Sequence, residues 1–178
     1  MALIKDRKLA ADSWLRLDAG AKDAPSVVSV SLPPSGDVIV PLAVWEAQRE
    51  QLIARDGGLG VWLAGTDDPE DISADLEHFD VIAVQFPSFT DGRGYSIGRL
   101  LRQRYGWRGE LRAFGDVQRD QLSYLTRCGF DAFVLREGED ADVALDAFSD
   151  FSEGYQASVE RPLPLFRRRD MAGAGPGA

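Results

Sequence analysis

Asp80-Val-Ile-Ala-Val-Gln-Phe86 runs into Pro87-Ser-Phe-Thr-Asp-Gly-Arg-Gly-Tyr-Ser96, and then into Ile97, Leu100, Leu101 and Tyr105 ahead of Gly106. The three pieces read as strand, loop and helix. The first is a continuous apolar run, as expected of a strand covered on both faces of a parallel sheet. The last repeats apolar residues at helical spacing, and glycine is favoured just past a helix end.

The same unit recurs on either side. Residues 59–64 form a short apolar run, after which Asp68-Pro69 offers an N-cap and a first-turn proline ahead of Ile72, Leu76 and Phe79. Residues 110–114 and 130–135 read as two further strands. The helix between them points Leu122, Leu125 and Cys128 inward and closes on Gly129; Val143, Ala144, Ala147, Phe148 and Phe151 mark a last helix. Four strand–helix units imply an α/β fold with a mainly parallel sheet. Right-handed crossovers then place all the strand C-termini along one edge. Two architectures fit, an open doubly wound sheet or a half-barrel of four βα units.

Further toward the N-terminus, residues 27–32 and 37–41 are β-rich, and Pro33-Pro34-Ser35-Gly36 between them predicts an N-terminal β-hairpin or two edge strands. Leu42, Trp45, Leu52 and Ile53 then share a helical face ended by Gly57-Gly58. The reading is an N-terminal extension (1–26), one α/β domain (27–160), and a tail (161–178) too rich in glycine and alanine to bury a core and therefore expected to be disordered.

Composition narrows the function. The 178 residues are 44% hydrophobic and 28% charged, ordinary values for a globular chain. The single histidine, His78, and single cysteine, Cys128, exclude an intrachain disulfide, a His- or Cys-rich zinc site and an internal iron–sulfur cluster. His78 falls before a strand, away from the ligand edge. Cys128 reads as a small buried residue, although the adjacent Arg127 can lower a thiol pKa and make it reactive. There is no secretory pattern and no membrane-length apolar run, so a cytoplasmic chain with no membrane partner is expected.

Charge is segregated. Against a total of −9, the window from Arg93 to Arg136 holds nine arginines, no lysine and four acids, or +5. It is flanked by residues 66–92 and 137–160, each with eight acids and no Lys or Arg. An acidic chain with one basic island is not a general nucleic-acid binder. Arg99, Arg102, Arg104 and Arg108 read as a solvated helix face and the turn after it. Arg93, Arg119 and Arg136 instead follow predicted strands, on the edge where α/β sheets collect ligands.

That edge supplies the candidate site. Thr90, Asp91, Arg93, Tyr95 and Ser96 offer hydroxyls, an acceptor and a forked cation, with Gly92 and Gly94 permitting close approach and Ser96 or Thr90 able to cap the next helix. Asp116, a natural N-cap, and Arg119 follow the next strand, and Arg136 the one after. The loop is neither a Walker loop nor a dinucleotide fingerprint. Asp91, Asp116 and Asp120 offer oxygen ligands to a divalent ion, but neighbouring arginines compete for them, and no metal is assigned.

Phe86–Ser96, with Leu100-Leu-Arg-Gln-Arg-Tyr-Gly106, Gly109-Glu-Leu-Arg-Ala113, Gly115-Asp-Val117, Asp120-Gln121 and Arg127-Cys-Gly-Phe-Asp-Ala-Phe133, resembles a bacterial family, domain of unknown function 934. The resemblance runs from about residue 39 to residue 155. It implies a setting beside genes of assimilatory sulfite and sulfate reduction, where such proteins carry the label of probable oxidoreductases of sulfite reduction. It brings no catalytic residues with it. With no cluster ligands and no flavin fingerprint, no cofactor is expected in this chain. Taken with the resemblance, this points to an accessory protein that docks to a sulfite reductase or related redox protein, and the arginine window supplies the docking candidates Arg99, Arg102, Arg104 and Arg108. The alternatives are a small-oxyanion or phosphate-ligand site, binding or catalytic, at the strand edge, and a purely structural α/β module. A homo-oligomer is compatible with all three.

Overall fold

The computed structural model describes residues 1–18, 30–150 and 154–173. Eight strands form one sheet in the order β2-β1-β8-β7-β6-β5-β4-β3. The strands are β1 (Leu3–Lys5), β2 (Lys8–Ala10), β3 (Leu15–Arg16), β4 (Val38–Pro41), β5 (Leu59–Leu63), β6 (Val81–Phe86), β7 (Glu110–Gly115) and β8 (Ala132–Val134). From β3 to β8 every pairing is parallel, and β1 is antiparallel to both β2 and β8.

The connectivity forces the sheet to curl. β2 and β3 lie on opposite edges, yet only residues 11–14 join them. Five Cα steps reach at most about 18 Å. Seven strand spacings in a flat sheet take about 34 Å. The sheet is therefore a half-barrel, and residues 11–14 cross its concave face. The sequential parallel order explains the choice over a doubly wound sheet, because right-handed crossovers without a reversal put every helix on one side.

Strand alternation separates two cores. Val38, Val40, Val61, Leu63, Ile82, Val84, Phe86, Leu111 and Ala113 face the helices. Leu3, Ile39, Val81, Ala83, Phe114, Ala132 and Val134 line the concave face, with Trp14 and Trp62 packed against them. The helices are α1 (Leu42–Ala54), α2 (Arg93–Gln103), α3 (Arg119–Cys128), α4 (Ala141–Asp146) and α5 (Leu165–Gly173).

Helix α2 packs unusually close. A Cβ on Gly94 would lie 2.6 Å from the Phe86 ring, and one on Gly98 would lie 2.3 Å from Phe130. The two glycines stand one helical turn apart, so together they make a groove for two aromatic rings. Helix α3 ends on Gly129 at φ +103°, a left-handed cap that glycine accepts without strain.

Several expectations change. An N-terminal hairpin exists, but β1 and β2 form it, turning through Asp6 and Arg7 at positive φ. Of the run expected at 27–32, residues 27–29 lie outside the described residues and 30–32 form no strand, while Val38–Pro41 pairs in parallel with β3 and β5. The helix expected after Asp68-Pro69 is two 3-10 turns, Pro69–Ile72 and Leu76–His78, closed by i to i+3 bonds such as Ser73 N to Glu70 O. Asp68 does cap the first, accepting from Glu70 N at 2.9 Å. Ile53, Leu100 and Val143, assigned inward, are 47%, 38% and 51% exposed. Within the tail, α5 forms, and Leu165 N donates to Tyr155 O at 3.0 Å. Phe151 lies outside the described residues.

Candidate functional site

The loops after β6, β7 and β8 meet at one rim, as the parallel order requires, and Asp116 ties them together. Its own N–H donates to Phe86 O at 2.7 Å. Its carboxylate accepts from Phe89 N at 2.9 Å, from Gln118 Nε2 at 3.1 Å and from Arg136 at 3.3 Å. These bonds, led by Gln118 and Phe89 N, hold the Asp116 carboxyl below its ordinary range. Asp116 is thus not the cap of α3. That place belongs to Gln118, whose N–H donates to Gln121 Oε1 at 2.9 Å.

The rim arginines are already paired. Arg93 grips Asp91 through Nε at 2.9 Å and Nη2 at 2.6 Å, and these bonds lower the Asp91 carboxyl to about 2. Asp91 also accepts from Arg93 N, the bond expected of Ser96 or Thr90 as a cap; the N-cap of α2 is Gly92. Arg119 reaches Asp150 at 2.9 Å and the Val143 carbonyl at 3.2 Å. Arg136 meets Glu139 at 3.0 Å as well as Asp116. Each candidate anion-binding cation therefore carries a carboxylate within hydrogen-bond reach, and an incoming oxyanion would have to displace it.

The remaining rim residues serve local order. Thr90 Oγ1 lies 3.3 Å from Ser88 Oγ, and Ser96 is exposed. The Tyr95 hydroxyl accepts from Gln121 at 3.3 Å, and its ring packs edge-on against Phe86 and Tyr124. Among the described residues no three His, Cys, Asp or Glu side chains gather as a metal site. Asp91 and Asp116 face arginines instead, and Asp120 is 3.8 Å from Arg119.

The helix arginines behave oppositely, with one correction. Arg102, expected on the docking face, is buried. Its Nε donates to Gly129 O, its Nη1 to Trp107 O and Gly109 O, each at 2.9 Å, and its Nη2 to Asp131 at 2.5 Å. It is a brace between the end of α2, the turn before β7 and the turn before β8. Arginine's five-donor fork suits that duty where a helix C-terminus meets several free carbonyls.

Arg99, Arg104 and Arg108 are exposed. Arg99 bonds the neutral Gln103 at 2.9 Å, and Arg104 has its nearest carboxylate, Glu70, only at 3.9 Å. Arg108 makes no hydrogen bond or ion pair among the described residues. Sequence reasoning missed the rest of this face. Tyr95 of α2 packs against Tyr124 of α3, ring centroids 4.9 Å apart, so the two helices adjoin. Tyr124, 51% exposed on α3, carries Arg127 over its ring at 5.8 Å, and Leu100 is 38% exposed on α2. Helical spacing from Leu122 and Leu125 already points Tyr124 outward, so the signal was present.

Cys128 is 6% exposed, and burial raises its thiol despite Arg99 and Arg127. His78 stands beside Trp45, ring centroids 6.0 Å apart, below the sheet and away from the rim.

A family model described as "Bacterial protein of unknown function (DUF934)" matches residues 60–166. The chain belongs to this family. The matched span runs from β5 into α5 and so includes the rim loops, the arginine face and the Arg102 brace. A search of curated proteins finds no match. No helix among the described residues is long and apolar enough to cross a membrane.

Proposed function

We propose that this member of the family is a non-catalytic docking protein of assimilatory sulfite reduction, presenting the outer faces of α2 and α3 to an acidic surface of a sulfite reductase or of its electron donor. One observation carries the docking reading. The arginines at the strand edge are closed on carboxylates, whereas among the described residues the exposed Arg99 and Arg108 make no ion pair and the exposed Arg104 has only Glu70, at 3.9 Å. Exposed arginines are the usual chemistry of a steered protein interface, where arginine supplies much of the binding. The sulfite-reduction setting comes from the family resemblance. The redox chemistry then belongs to the partner, and this chain contributes orientation and charge.

The acidic remainder of the chain serves the same end. Within a chain of net charge −9, the exposed Arg99, Arg104 and Arg108 confine the attraction for an acidic partner to their own face. The test is co-purification of sulfite reductase with the tagged chain from its own organism. Retention at low salt and loss at high salt support the reading, because exposed charge pairs are screened within about 10 Å at 0.1 M salt. Failure to retain the reductase at low salt counts against it.

A further inference from the structure

The concave face of the half-barrel holds a cavity of about 300 Å³, separate from the docking face and from the rim. This size is at the lower end of small-molecule sites. Ile39, Ala83, Phe114 and Val134 make its apolar floor, and three charged side chains enter it: Asp12, Arg16 and Arg112.

Two of those charges are neutralised by one another. Arg112, 3% exposed, donates to both Asp12 oxygens at 2.9 and 3.0 Å and to Glu110 at 2.7 Å. Glu110 in turn meets Lys5 at 2.7 Å. This leaves Arg16 as the surplus cation of the group. Its guanidinium carbon stands 4.3 Å over the Phe114 ring, and its nearest carboxylate, the 85% exposed Asp18, is 3.8 Å away. Arg16 makes no hydrogen bond among the described residues; its Nε, shut off from water, has only Asp18 at 3.8 Å, which leaves its Nη groups to meet an anion. A donor shut off from water is costly to leave unpaired.

The arginine is also held in place. Trp62 packs edge-on against Phe114 at 5.7 Å, and its Nε1 donates to Leu17 O at 2.9 Å, pinning the strand that carries Arg16. A stacked guanidinium with free donors, facing an apolar floor, is a preorganised anion anchor. One surplus positive charge suits a monoanion. The floor calls for an apolar body, which an inorganic oxyanion lacks.

We propose that this cavity binds a small organic acid, with its carboxylate on Arg16 and its apolar part against Ile39, Phe114 and Val134. Amide chemical shifts of the full-length chain, titrated with benzoate, test the proposal. Saturable shifts at Ile39, Ala83, Phe114 and Val134 are expected. Benzamide, the neutral analogue, and the variant Arg16→Met each weaken binding by about tenfold or more, the loss expected for one charge-assisted contact. The benzamide comparison uses the unaltered protein, so it stands even if the variant folds poorly. No saturable shift at these four amides would overturn the proposal. So would equal binding of benzamide or sulfate, or shifts confined to the Arg99–Arg108 surface.

Discussion

Asp12 and Arg112 are one hundred positions apart in sequence and 2.9 Å apart in the fold. Their pair fastens the segment that crosses the concave face to the middle of β7. Arg112 has only 4% of its side chain exposed, so its charge depends on Asp12 and Glu110. Removing the cation leaves Glu110, with 6% of its side chain exposed, to Lys5 alone. Removing Asp12, which is 35% exposed, leaves Arg112 still held by Glu110. Arg112→Met should therefore destabilise by about 3 kcal/mol and Asp12→Asn by about 1 kcal/mol, read from urea unfolding midpoints. Equal losses would mean that the crossing segment, not the Glu110 pair, dominates.

Arg102 and Arg108 are six positions apart and should respond in opposite ways. Arg102→Met strands the carbonyls of Trp107, Gly109 and Gly129 together with Asp131, and should cost about 3–5 kcal/mol. Arg108→Ala removes an exposed side chain with no partner among the described residues and should stay within about 0.5 kcal/mol. Thermal unfolding of the two variants checks the contrast. A stable Arg102 variant would remove the brace from the account.

Gly98→Ala should destabilise although alanine is the better helix former. Intrinsic propensity favours alanine by about 1 kcal/mol. The added methyl would stand 2.3 Å from the Phe130 ring, and overpacking of this kind costs about 1–3 kcal/mol. Gly106, at φ +70° with open space around it, tests backbone strain without a clash. A lower unfolding midpoint for Gly98→Ala is the expected result, and a raised one would show that Phe130 can move aside.

Most of the α/β framework was legible because it rests on strong local signals. The apolar runs around Val81–Phe86 and Glu110–Gly115, and the glycine stops after α2 and α3, are read directly. The half-barrel was an open alternative, since its choice depends on strand order and on the short link between β2 and β3, which are long-range facts. Weak strands of two or three residues, β1 to β3, carry too little pattern to be seen. At the site, residue type was legible and pairing was not. Arg93 and Arg102 look alike in sequence; only the fold shows that one clasps Asp91 and the other braces buried carbonyls. Gly94 was read as room for a ligand, and it is room for Phe86.

The Asp91–Arg93 clasp sets a pH signature at the rim. Asp91 titrates at about 2 in the fold against an ordinary 3.8, so the folded state binds fewer protons between those values. Its contribution to stability is full above the ordinary pKa and is lost as pH falls toward 2. In Arg93→Gln, the carboxyl resonance of Asp91 should titrate at a higher pH than in the unaltered protein, because both the side-chain bonds and the charge are gone. An unchanged midpoint would show that the backbone N–H alone sets it.

The central claim is that Arg99 and Arg108, not the paired rim arginines, contact the partner. Its most direct test is the equilibrium affinity of the purified chain for purified sulfite reductase of the same organism, compared across two variants. The double reversal Arg99→Glu, Arg108→Glu should weaken binding by about tenfold or more, while Arg119→Gln at the rim leaves it within about twofold. Equal affinity for the double reversal and the unaltered chain would contradict the account.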